Sequence, residues 1–115
     1  MGPKPYDLKE RTFLFAVRML KVAAMLPENN EARIVRRQLA RSGPSVGSNV
    51  EESDGATTKP EKRRLFVIAR REAREARYWL KIIQHLWSPG VNVEADILEA
   101  SELINILSSI ILKLK

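Results

Sequence analysis

At 115 residues the chain has room for one domain around one core, and its 44% hydrophobic and 30% charged residues fit a soluble globular protein. It has no cysteine, which excludes disulfides, thiolate nucleophiles and thiolate metal sites. No apolar run approaches the ~18 residues of a transmembrane helix. The net charge of +6 suits a partner rich in negative charge, although solubility alone would also account for it.

Residues 1–6 read as a Pro-rich, disordered lead to a single bundle domain over residues 7–115. The lead has no apolar stretch for secretion, and Tyr6 stands where a myristoylation motif needs Ser or Thr, so a cytoplasmic location is expected. Asp7 followed by Glu10 forms a capping box, and a helix should run from there to about residue 26, stopped by Pro27. On a wheel of about 100° per residue, Leu8, Thr12, Phe15, Met19, Val22, Ala23 and Leu26 share one face. Phe13, Leu14, Val17, Leu20, Ala24 and Met25 share the other. A helix apolar nearly all round is buried on more than one side, so a partner surface is expected over the second face.

Asn30 can cap a second helix to about residue 53, with Val35, Leu39, Ser42, Val46, Asn49, Val50 and Ser53 inward and Arg33, Arg37 and Arg41 in an outward stripe. Pro44 lies inside it and points away from the core. It either kinks a continuous helix or marks a break at Ser42-Gly43, and the kinked helix is the favoured reading. Thr58-Lys-Pro-Glu61 is a second capping box and opens a third helix reaching about Trp87. Its apolar face is Leu65, Phe66, Ile68, Ala69, Ala73, Ala76, Trp79, Leu80, Ile83 and Leu86, with Glu72 projecting into the middle. Arg63, Arg70, Arg74, Arg77 and Lys81 form a stripe on the opposite side, and residues 59–81 carry nine basic and three acidic side chains. After the Ser88-Pro89-Gly90 break, Asn92 can cap a fourth helix. Its Ile97, Ile104, Ile111 and Ala100, Leu107, Leu114 repeat every seven residues as a bundle seam. Leu103, Ile106 and Ile110 widen that seam beyond the need of one core. No strand signal appears, so the fold class is all-α, an antiparallel up-down-up-down four-helix bundle.

Three features could carry function. Gly43-Pro-Ser45-Val-Gly47 matches the Gly-x-Ser-x-Gly of a nucleophile elbow, but that turn needs a strand-to-helix junction, and the single histidine, His85, lies on the outward side of its helix. Gly43 and Gly47 are better read as packing residues. No Glu-x-x-His pair is present, so no metal or cofactor is expected. Ser42, Ser45, Asn49 and Glu72 form a candidate buried polar cluster, read as a device that fixes helix register rather than as a catalytic group. The arginine stripes are either a solvated face or a contact with a nucleic-acid backbone, with no motif for reading bases.

Taken together, RQLARSGPSVGSNVEE (residues 37–52), EAREARYWL (72–80), YDLKERTF near the start and ELINILSSIILKLK at the end resemble the proteins encoded within intervening sequences of bacterial 23S rRNA genes, the S23 family. Pro44 departs from the small polar residue expected at its position. The resemblance implies a homopentameric ring of four-helix bundles and kinship with the accessory variability protein of diversity-generating retroelements, a basic pentamer that binds RNA and a reverse transcriptase. The expectation is therefore a non-catalytic, cytoplasmic oligomer with Phe13, Leu14, Val17, Leu20, Leu103, Ile106 and Ile110 between copies. Arg33, Arg37, Arg41, Arg63, Arg70, Arg74, Arg77 and Lys81 would lie on RNA. The alternative is a scaffold for an acidic or reverse-transcriptase-like protein.

Overall fold

The computed structural model describes residues 8–115, so the expected lead over residues 1–6 and the Asp7 cap lie outside the described residues. Four helices follow one another as α1 (Leu8–Met25), α2 (Asn30–Ser53), α3 (Lys59–Trp87) and α4 (Glu94–Lys113), with no strand among the described residues. The 29-residue α3 sets the 45 Å long axis, as about 1.5 Å of rise per residue requires. Among the described residues no helix is long and apolar enough to cross a membrane.

Each boundary has a local cause. Pro27 stops α1, and the guanidinium of Arg36 donates to the freed carbonyls of Ala23, Leu26 and Pro27 at 3.2, 3.0 and 2.9 Å. Asn29, not Asn30, caps α2 by accepting from the amide of Ala32 at 2.8 Å. Thr58 caps α3 by accepting from the amide of Glu61, whose carboxylate in turn accepts from the amide of Thr57. At α4 the cap position is Val93 rather than Asn92, and the Asn92 side chain accepts from the amide of Glu94. Helix α2 runs unbroken through Pro44, which is half-buried and lines a shallow groove with Phe13 and Ala16 of α1.

The core is built from the faces expected. Leu8, Thr12, Phe15, Met19, Val22, Ala23 and Leu26 are all buried. They meet Val35, Leu39, Val46 and Val50 of α2, Ala69, Ala73, Ala76, Leu80 and Ile83 of α3, and Ala100, Leu103, Ile104, Leu107 and Ile111 of α4. On α3 the match is partial: Leu65, Ile68 and Trp79 are half-buried, and Leu86, near the helix end, is 57% exposed. Helices α1–α2, α2–α3 and α3–α4 pack closely, while α1 and α4 stand further apart. That gap is spanned by arginines. Arg11 donates to both oxygens of Glu99 at 3.1 and 2.6 Å and to Glu102 at 3.4 Å, and Arg18 donates to both oxygens of Asp96 at 2.9 and 3.0 Å.

Candidate nucleic-acid interface

Arg63, Arg70 and Arg77 are spaced by seven residues, so they return to nearly the same azimuth of α3 about 10 Å apart. The flank they occupy faces α4. Arg70 donates to the hydroxyl of Ser108 at 3.2 Å and Arg77 to that of Ser101 at 3.1 Å. These serines are also seven residues apart, so the two contacts form parallel rungs across the α3–α4 groove. Arg63 extends the row by one step, and its Nε is buried without an acceptor among the described residues. Arg74 and Lys81 are exposed beside the row.

None of these five basic residues makes an ion pair among the described residues. The reason lies on α4, whose Asp96, Glu99 and Glu102 are turned onto α1. There the hydrogen bond that Arg11 donates to Glu99 raises the pKa of Arg11, and the one that Arg18 donates to Asp96 raises that of Arg18. Three of the four acids of α4 are thus engaged on the α1 side of the bundle, and the α3–α4 groove keeps its positive charge.

Arg41 belongs elsewhere. It reaches from α2 to α3, where it donates to Glu72 at 3.2 Å and pairs tightly with Glu75. Its hydrogen bond holds the Glu75 carboxyl below its ordinary range, and the indole N–H of Trp79 donates to the same carboxylate at 3.3 Å. The α2 stripe therefore divides. Arg33 and Arg37 are exposed beside Ile34, with Arg33 donating to Asn30 at 3.3 Å, while Arg41 is a helix-to-helix tie.

The expected cluster of Ser42, Ser45, Asn49 and Glu72 does not assemble. Ser42 and Ser45 donate to the carbonyls four residues back, at 2.9 and 2.7 Å, and Asn49 donates to that of Ser45 at 2.8 Å. Short polar side chains on a helix satisfy themselves on their own backbone, which leaves Glu72 to Arg41. Ser42 is fully buried, Ser45 and Asn49 only partly. Ser45 also lies in mid-helix, so Gly43-to-Gly47 has no elbow geometry.

Of the residues expected between copies, Phe13, Leu14 and Leu20 are 65, 56 and 49% exposed, and Val17 is half-buried. Leu103 is a correction: it is fully buried among α4's own core contacts and cannot reach another chain. Ile106 and Ile110 are half-buried against that core. Two residues escaped the sequence reading. Arg71 and Tyr78 are exposed and interleave with Arg74 and Lys81 at the i, i+3, i+7, i+10 spacing of one helix face, a signal present in the sequence but read there only for charge.

The sequence pattern of the 23S rRNA-intervening sequence protein family matches residues 4–111. Among solved structures, the chain is similar to a protein with unknown function from the S23 ribosomal protein family of Bacteroides thetaiotaomicron. The TM-score is 0.79 and the identity 27%, over 90% of this chain and 97% of that one. No curated protein is similar enough to count as a relative.

Proposed function

The chain belongs to the 23S rRNA-intervening sequence protein family, and from that premise we propose that it is a non-catalytic protein that grips RNA by its phosphate backbone along the α3–α4 flank. One observation carries this reading: Arg63, Arg70, Arg74, Arg77 and Lys81 lie together without carboxylate partners among the described residues, while Asp96, Glu99 and Glu102 of α4 are paired to α1. Such a row attracts phosphates with little regard to sequence. Arg33 and Arg37 add exposed charge on α2. A cytoplasmic setting goes with an RNA ligand, and the kinship with the accessory variability protein would rest on a shared basic bundle.

The test is anisotropy of labelled RNA as salt rises from about 50 to 200 mM. Affinity should fall log-linearly, since each neutralised phosphate releases counterions. No binding at the lowest salt would overturn the reading. Binding instead to an acidic protein, with no RNA affinity, would favour a protein scaffold.

Self-association through α1 is the second part of the proposal, with the ring of five as its expected form. Phe13, Leu14, Leu20 and Met25 leave that face about half exposed, an apolar strip that a helix between water and one core does not need. Sedimentation at tens of micromolar would contradict it by showing a monomer.

A further inference from the structure

The outer face of α3 holds more than charge. Tyr78 is 60% exposed, and Arg74 lies one turn before it, Lys81 one turn after it and Arg71 two turns before it, all exposed. Its ring meets Trp79 edge to face, with centroids 5.3 Å apart and planes at 75°. An edge-to-face contact occupies at most one face of a ring, so a face of Tyr78 stays open to a ligand. The neighbour is itself fixed: Trp79 is half-buried against the core, and its indole N–H donates to Glu75, which Arg41 holds. The tyrosine is thus braced through Trp79, Glu75 and Arg41, which lowers the ordering cost of binding against it. Glu75, the nearest carboxylate on the helix, is paired to Arg41 and adds little repulsion.

We propose that Tyr78 stacks on an unpaired base, and that this face of α3 takes single-stranded or looped RNA in preference to duplex. The proposal rests on the RNA-binding reading above and names its substrate class. A duplex buries its base faces in its own stack and offers phosphates and sugar edges, to which an open aromatic ring adds nothing. An unpaired nucleotide can lay its base on Tyr78 while the phosphates on either side reach Arg74 and Lys81, the combination of stacking platform and basic track used for single strands.

The experiment measures anisotropy of two labelled probes, an oligouridylate and a short blunt RNA duplex, at one low salt concentration on the full chain, Tyr78→Ala and Tyr78→Phe. The expected result is tighter binding of oligouridylate by the full chain, weakened about tenfold by Tyr78→Ala and restored by Tyr78→Phe, with duplex binding unchanged in both variants. Tyr78 is exposed, so both variants should keep the helical content and melting temperature of the parent. If both probes bind and Tyr78→Ala weakens neither, or weakens both equally, the stacking proposal fails and the backbone-binding reading survives. If neither probe binds, both fall together.

Discussion

A Cβ placed on Gly43 would lie 2.5 Å from Cβ of Met19 and 2.6 Å from its Cγ. One turn on, a Cβ on Gly47 would lie 3.1 Å from the carbonyl oxygen of Thr12. The two glycines therefore mark where α2 crosses α1 at its closest, and the hydroxyl of Thr12 is turned back to the carbonyl of Leu8 at 2.8 Å beneath them. The stretch that imitates an active-site elbow is a helix-crossing point.

Gly43→Ala should destabilise the bundle. Met19 Cβ is tied to its backbone and cannot swing aside, so the helices must part, at a cost of about 1–3 kcal/mol. Helix propensity returns up to about 1 kcal/mol of that. Gly47→Ala makes a milder contact and should sit near zero. Urea unfolding of both variants checks the order; Gly43→Ala as stable as the parent would mean that the crossing is loose.

Arg36 closes α1 from the neighbouring helix by reaching three carbonyls with one planar fork. Arg36→Ala leaves those acceptors to water and should cost about 1–2 kcal/mol in denaturant unfolding. Arg36→Lys should recover less than half, because a lysine cannot span Ala23, Leu26 and Pro27 together. Full recovery would show that charge near the helix end matters rather than the fork.

How much of this was legible depended on whether a property belongs to one helix or to two. The seven α1 residues assigned inward are all buried, and α3 starts at its capping box and ends at Trp87, before the Ser88-Pro89-Gly90 break. These follow from periodicity and local caps. Pairing does not. Arg41 shares a stripe with Arg33 and Arg37 on any wheel of α2, yet only Arg41 lies opposite Glu72 and Glu75, because the wheel carries no information on the helix across the groove. The same gap placed Leu103 on an outer face: its turn toward the core is set by how α4 leans on its neighbours.

The Arg41–Glu75 tie should weaken in acid. The hydrogen bond from Arg41, with a smaller one from Trp79, depresses the Glu75 pKa below its ordinary value near 4.5. A depressed carboxylate adds stability that is complete above the unfolded pKa and lost as pH falls through the folded one. Thermal melts of the parent and Glu75→Gln should differ at neutral pH by about 0.5–1 kcal/mol, a modest figure for a solvent-screened pair. The difference should shrink as pH drops below about 4.5. A gap that stays constant into strong acid would place the effect in packing against Trp79 instead.

The division of the arginines separates stability from binding. Among the described residues Arg70 and Arg77 donate hydrogen bonds to serine hydroxyls, which a phosphate oxygen can replace as acceptor. Arg41 is held by two carboxylates that a phosphate would have to displace. Arg70→Ala and Arg77→Ala should therefore each lower the salt slope of RNA binding by about one and leave the melting temperature nearly unchanged. Arg41→Ala should do the reverse, lowering the melting temperature and leaving the slope. The comparison is internal, since all three changes remove one positive charge from the same bundle and any effect of net charge alone would be equal. Equal loss of slope in all three variants would mean that RNA senses only the overall field of the protein, and that the α3–α4 flank is not its seat.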